Sequence, residues 1–288
     1  MNINTLFCFT ALIVGVICSS CNAPATGTSQ SLDSAKIVST NGTISEILAA
    51  LDMEDQLVGV DVASTYPASL QSKPKIGHNR DISAEGILAL GPDMVLGIHD
   101  VLPENVAGQL EASGVKLNLF EHTYSVAGAK QLIRTVADSV AQPAKGDSLL
   151  QVLENDLALA DSIVAQYAQK PKVLFIYARG AGTMMVAGQE TQLDEMIKLA
   201  GGVNAAQGFT DFKPLTSEAL VAANPDVVLL FDSGLSSLGG IDGLLAVQGM
   251  AQTNAGKNKK VVEMDGQYLT GFGPRLGKAI KELAEKIR

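Results

Sequence analysis

The sequence predicts an α/β protein: two Rossmann-like lobes with parallel sheets, joined by one long backbone helix. Three observations point there. The first is an internal repeat. Ser83-Ala-Glu-Gly-Ile-Leu-Ala-Leu-Gly-Pro-Asp-Met-Val-Leu is echoed by Thr216-Ser-Glu-Ala-Leu-Val-Ala-Ala-Asn-Pro-Asp-Val-Val-Leu, with Glu, Ala, Pro, Asp, Val and Leu at matching offsets. Each copy reads as a capped helix, a Pro-Asp turn and a buried strand. Copies this far apart in the chain imply two similar lobes rather than a stack of short units. A weaker echo pairs Ser45-Glu-Ile-Leu with Asp194-Glu-Met-Ile.

The second observation is the order of elements from Ile37 onward. IVST is apolar and β-branched, Thr43-Ile-Ser-Glu46 reads as a capping box before the periodic run ILAAL, and LVGVDV reads as the next buried strand. The third is the stretch from Asp147 to Gln169, which contains no Gly or Pro. Leu149, Leu153, Leu157, Ile163 and Tyr167 recur there near helical spacing, which predicts one helix of about six turns. The boundaries that follow are a first lobe over 36–142, a linking helix over 143–170 and a second lobe over 171–288 closed by a helix from Leu276 to Ile287.

The first twenty residues differ in kind. From Leu6 to Cys18 runs LFCFTALIVGVIC, too short to span a bilayer but of the length of a signal-peptide apolar region. Ser19-Ser20-Cys21 follows and looks like a lipobox. The expectation is a signal peptide over 1–20, with Cys21 acylated as the first residue of an extracytoplasmic lipoprotein anchored to a bacterial membrane. Two features depart from the usual pattern: no Lys or Arg precedes the apolar run, and Cys18 stands where Leu is common. An ordinary secretory signal cut nearby is the alternative. All three cysteines (Cys8, Cys18, Cys21) lie in this region, so cleavage leaves one and permits neither an intramolecular disulfide nor a zinc-thiolate site. The small, polar segment 21–35 reads as a flexible tether.

A net charge of −9 with no basic run argues against nucleic acid as a partner. It leaves room for an anionic small ligand held by a few placed arginines. Four segments carry candidate chemistry. Asp61-Val-Ala-Ser-Thr-Tyr66-Pro67 leaves a strand at its carboxyl end, where open α/β sheets bind ligands, though Tyr-Pro is also a common turn. Gly77-His78-Asn79-Arg80 is a donor-rich loop or a solvated turn. Tyr177-Ala-Arg179-Gly-Ala-Gly-Thr-Met184-Met185 follows a strand. The third glycine of a dinucleotide fingerprint would fall at Met185, so what remains is a Gly-rich loop bearing Tyr177, Arg179 and two adaptable methionines. Tyr268-Leu-Thr-Gly271-Phe272-Gly273-Pro274-Arg275 opens the last helix, and Arg275 there is either an anion partner or a surface charge. His99 and His122 sit in loops without partners at metal spacing and read as bystanders. No G-x-S-x-G, P-loop, H-E-x-x-H or Cys–His pairing suggests an enzyme.

Taken together, the stretches VGVDVASTYPASL, IGHNRDISAEGILALGPDMVL, MMVAGQETQLDEMIKLAGGVNAA, FKPLTSEALVAANPDVVLL and YLTGFGPRLGKA resemble the helical-backbone class of ABC-importer binding proteins, and within it the haemin-binding family. The resemblance runs from about Ile37 to the C-terminus. It implies haem as the transported ligand, an ABC permease with its ATPase as partner, and a monomer on a lipid anchor. It implies Tyr66 as the ligand of ferric iron, with His78, Tyr177 and Tyr268 as alternatives. Arg80 would favour the phenolate, Arg179 and Arg275 would meet the propionates, and Met184, Met185 and Phe272 would face the porphyrin. Glu85 and Glu218, at equal places in the repeat, would dock the permease, although acidic residues are favoured in any first helical turn. A ferric siderophore or cobalamin is the alternative cargo. A tetrapyrrole-modifying enzyme on the same anchor is the alternative class.

Overall fold

The computed structural model describes residues 34–78 and 81–288, and Leu32–Arg288 forms a compact unit of its own. The expected signal peptide, Cys21, almost all of the tether and Arg80 lie outside the described residues. The first lobe runs β1 (Ile37–Ser39), α1 (Gly42–Ala50), β2 (Leu57–Val60), α2 (Ala84–Leu88), β3 (Met94–Ile98), α3 (Glu104–Ala112), β4 (Lys116–Phe120) and α4 (Val126–Ser139). Its four strands are parallel in the order β2-β1-β3-β4. Every residue of β3 is buried, as a strand covered on both faces requires.

The linking helix α5 (Pro143–Val164) leads into the second lobe. There β5 (Lys172–Ala178), β6 (Met184–Ala187), α6 (Gln192–Leu199), β7 (Val203–Asn204), β8 (Phe212–Pro214), α7 (Ser217–Ala223) and β9 (Val227–Phe231) come first. They are followed by α8 (Asp232–Ser237), α9 (Gly240–Leu245), α10 (Asn254–Asn258), β10 (Val261–Met264), α11 (Gly266–Thr270) and α12 (Leu276–Lys286). The strand order is β10-β9-β5-β6-β8, with β7 beside β5. Both sheets are mostly parallel, as expected, with one exception among the described strands. β6 runs antiparallel to both β5 and β8, because the short loop 179–183 can only return the chain as a hairpin.

The repeat has a common physical basis. Ser83 and Thr216 cap α2 and α7, accepting from Gly86 N at 3.1 Å and Ala219 N at 3.1 Å. The repeated aspartates then do the same work in each lobe. Asp93 accepts from Lys36 N at 2.8 Å and Asp226 from Lys172 N at 2.9 Å, each holding the start of its lobe's first strand. The expected capping box at Thr43 does not form. Asn41 is the cap, accepting from Thr43 N and Ile44 N. Thr43 and Glu46 are thereby free to serve elsewhere.

Helix α5 starts at Pro143, an N1 proline that needs no intrahelical donor, and ends before Gln169. Its inward positions Gly146, Leu150, Leu153, Leu157, Ala160 and Val164 alternate four and three apart, the spacing of a packed helix seam. α12 lies along it, so close that a Cβ at Gly277 would stand 2.6 Å from the Asp156 backbone. One core cluster includes Ile37 and Leu96 of the first sheet, Leu153 of α5, Phe175 and Leu229 of the second sheet and Leu283 of α12. Gly277→Ala is therefore expected to lower stability by about 1–3 kcal/mol through overpacking, read by urea unfolding. An unchanged unfolding midpoint would contradict the close approach.

Candidate functional site

The candidate site is built where the strands of both lobes end. Beyond β2 the chain dives through Asp61, 2 % exposed, before Tyr66 emerges at 45 % exposure. A buried hydroxyl relay supports this turn. Ser64 bonds the Asp61 carboxylate and lies 2.7 Å from Ser45 Oγ, itself 2.8 Å from Ser39 Oγ. Burial pushes the Asp61 carboxyl up, against the opposing pull of the Ser64 hydrogen bond and, more weakly, of Lys75 and His78. Lys75 Nζ braces the loop from outside, donating to Ser64 O at 3.2 Å and Leu70 O at 3.0 Å. Val62 N donates to Gly77 O at 3.1 Å, which sets exposed His78 beside the same turn.

In the second lobe Tyr177 stands near the end of β5, half-buried, its ring 6.2 Å from that of Phe231 in an edge contact. The exposed Arg179 places its Cζ 5.5 Å from the Tyr177 ring centre. Among the described residues no carboxylate forms an ion pair with Arg179. Met185 lies directly opposite Tyr177 across the hairpin and shares its face. Met184, one residue away, falls on the other face of the sheet and packs against a second-lobe core cluster. Of the two methionines expected to face a ligand, only Met185 shares the face of Tyr177.

The loop from Gln267 to Arg275 reaches from the second lobe into the first. Arg275 Nε and Nη2 donate to Glu46 Oε1 and Oε2 at 2.8 and 2.7 Å. The guanidinium carbon lies 3.6 Å from the Tyr66 ring centre and 4.8 Å from that of Tyr268. Burial pulls the Arg275 pKa down, but the bonds and charge of Glu46, with a smaller contribution from Tyr66, raise it overall. Thr43 Oγ1 donates to Gly271 O at 2.8 Å.

Three expected site residues are already engaged within the protein. Glu46 takes the Nε–Nη2 edge of Arg275 and balances its charge, which leaves the Nη1 side as the edge that could meet a propionate. Phe272 is 1 % exposed and set edge-on to Tyr124 at 5.7 Å, so it offers no face to a ligand. Tyr268 lines the groove between α5 and α12 with Asp156, Leu159 and Lys278. Its phenol is pushed up to about 12, by burial first and then by nearby Glu282. Glu85 and Glu218 both stand exposed in first helical turns, as the repeat predicts. Among the described residues no group of three or more His, Cys, Asp or Glu is gathered around a bare metal site.

His122, expected to be a bystander, is part of the lobe contact. Its ring lies 4.9 Å from that of Tyr124, its Nε2 is buried without a hydrogen-bond partner, and the backbone of Phe272 and Gly271 lies beside it. Its loop position in the sequence carried no sign of this, because the partner is the backbone of a segment some 150 residues away.

The chain belongs to the periplasmic binding protein family, whose model matches residues 37–268. It is accordingly an extracytoplasmic binding component of transport and not an enzyme. The periplasmic heme-binding protein RhuT of Roseiflexus sp. RS-1, solved in apo form, is 42% identical, with a TM-score of 0.86 and a match covering 88% of this chain and 98% of RhuT. The heme binding protein HmuT is 33% identical, with a TM-score of 0.79 over 88% of this chain and 85% of HmuT. HmuT has also been solved with alanine in place of a His, a Tyr and an Arg, the Arg two residues after the Tyr. The ABC transporter substrate-binding lipoprotein YvrC of Bacillus subtilis (strain 168) is 27% identical over 258 residues, 88% of this chain and 79% of YvrC.

Burial holds the His122 imidazole below its ordinary range, although the Phe272 and Gly271 backbone pulls the other way. The unfolded chain takes up this proton at a higher pH than the folded one. The stabilising contribution is therefore complete above the ordinary histidine value of about 6.5 and is lost as pH falls from there to the lower folded value. Thermal melts in that acid window should show a falling Tm, and His122→Gln should flatten the fall. An equal slope in both proteins would exclude this origin.

Proposed function

We propose that this chain captures haem in the cleft between its lobes and delivers it to an ABC permease and its ATPase. The observation that carries the reading is the pairing at the end of β5. Half-buried Tyr177 has beside it, in Arg179, a cation that forms no ion pair with a carboxylate among the described residues. Ferric iron accepts a phenolate, and a neighbouring guanidinium offsets the negative charge of that ligand or meets a propionate. His78, on the first lobe, supplies a ring nitrogen as the second ligand. His78, Tyr177 and Arg179 follow one another in the order and at the intervals of the three side chains replaced in the solved HmuT variants. The names of RhuT and HmuT support haem over a siderophore or cobalamin.

Tyr66 is the second reading for the iron ligand. Its exposure of 45 % at the end of β2, under the Arg275 guanidinium, favours it. Against it, Glu46 already balances the charge of Arg275. Arg80, two residues after His78 in the sequence, is a further candidate cation. Met185 gives the cleft an apolar contact. The likeness to YvrC supports acylation of Cys21 as the anchor, with the protein working as a monomer on the membrane surface. Glu85 and Glu218, one exposed carboxylate per lobe, are the proposed docking points for permease cations.

Haemin added to the soluble form beginning after Cys21 should give a saturable Soret band with a tyrosinate signature. That signature should be lost in Tyr177→Phe and retained in Tyr66→Phe. The reverse pattern moves the iron to Tyr66, and a spectrum no different from free haemin sinks the cargo assignment. Reversing both docking charges (Glu85→Arg with Glu218→Arg) should leave haemin binding intact and weaken stimulation of the permease ATPase by about tenfold. Wild-type stimulation at low salt would remove these residues from the interface.

A further inference from the structure

We propose that Arg275 is a positioning residue that fixes the separation of the two lobes, and with it the time haem stays bound. Glu46 belongs to α1 in the first lobe, whereas Arg275 immediately precedes α12 in the second. Among the described residues theirs is the only ion pair that joins a residue of one lobe to a residue of the other. Both partners are largely withdrawn from water, with side-chain exposures of 18% and 7%. The pair is bidentate, the geometry that best defines a guanidinium's orientation.

The faces of the same guanidinium are also taken. Tyr66 of the first lobe covers it at 3.6 Å, and Tyr268 of the second lies at 4.8 Å. Edge and face together leave this cation little choice of position. The neutral contacts around it are weaker guides, such as Thr65 N donating to Gln267 Oε1 at 3.4 Å. The socket for Arg275 is made of α1 and the Tyr66 turn, so it also ties together two first-lobe segments that border the cleft. Removing Arg275 would strand a buried carboxylate and uncover one face of Tyr66. Nothing in this role requires Arg275 to touch the ligand. Its loss should therefore change how long haem stays, not what binds the iron.

The proposal rests on the haem reading for its kinetic consequence and on geometry alone for its structural one, and the two are tested separately. Haemin-loaded protein is mixed with excess apomyoglobin and haem transfer is timed for Arg275→Gln, Glu46→Gln, the double variant and Arg275→Lys. Each single change to Gln should speed transfer by about tenfold, the double variant no further, because the residues act as one unit. Arg275→Lys should restore only part of the loss, as it keeps the charge without the fork. The Soret and tyrosinate bands should be unchanged throughout. Transfer rates equal to wild type, additive effects or an altered ligand spectrum would each overturn the proposal.

The structural arm needs no haem. Asp100→Cys and Asp242→Cys, both exposed and one on each lobe, accept spin labels in a form that has no other cysteine. The interlabel distance distribution should be narrow in the parent and broader in Arg275→Gln. Identical distributions contradict a positioning role, even where the parent proves not to bind haem. Should Arg275→Gln fail to fold, Tyr66→Leu removes the ring cover and keeps the ion pair. It should broaden the distribution to a smaller extent, and a parent-like distribution there would overturn the part assigned to Tyr66.

Discussion

Besides a small core cluster of its own, each lobe shares a larger interior with the other. A single apolar cluster passes from the first sheet through α4, α5 and α12 to the second sheet, and the rest of the structure depends on that continuity. Opening the lobes widely would break the seam between α5 and α12 and wet side chains such as Leu153 and Leu283 that are now dry. The seam is tight enough to require glycine at position 277. The mechanical consequence is a stiff clamp. Ligand-facing groups on opposite lobes are held at a set spacing, and small adjustments remain for the loops that cross the joint.

Polar chemistry at that joint then sets what the apolar core leaves undetermined. Hydrophobic packing is non-directional and tolerates small slides, whereas a forked ion pair with stacked rings does not. Arg275 supplies the directional contact, and Thr43 adds a backbone bond to the same loop. Beneath the Tyr66 turn, the relay from Ser39 through Ser45 and Ser64 to Asp61 keeps the strand ends rigid. The fixed frame thus carries Tyr66 and exposed His78 on one lobe, and half-buried Tyr177 with exposed Arg179 on the other.

Much of the frame was legible because it is written in local rules. The repeat located two capped helices and two strands, and its Pro-Asp turns proved to anchor the first strand of each lobe. Helical spacing found α5, which starts at Pro143 and takes in Gly146; there, a Cβ would meet Ala137 at 2.6 Å, so the glycine is required by packing. The antiparallel β6 was hidden in a Gly-rich loop that also resembles a strand-to-helix turn. The candidate residues could be read by type, but not their contacts. Tyr177, Arg179 and Met185 gather on one side of the hairpin, as a two-residue period allows. Phe272, Tyr268 and Arg275 stand in the predicted loop, but their partners Tyr124, Glu282 and Glu46 are distant in sequence, and no local pattern reveals which face of a loop meets the other lobe. Thr43-Ile-Ser-Glu46 shows the same limit: a sound capping-box motif was pre-empted by Asn41, and its glutamate was recruited across the joint.

A rigid frame presenting ligands from both lobes makes one demand on any bound molecule: it must reach both at once. A crystal structure of the haemin complex tests this most directly. The account predicts a porphyrin between the lobes with iron joined to Tyr177 on one side and His78 on the other, and with the Arg275–Glu46 pair intact. Iron bound by Tyr66 alone, or a porphyrin seated on one lobe with the joint opened, would contradict it.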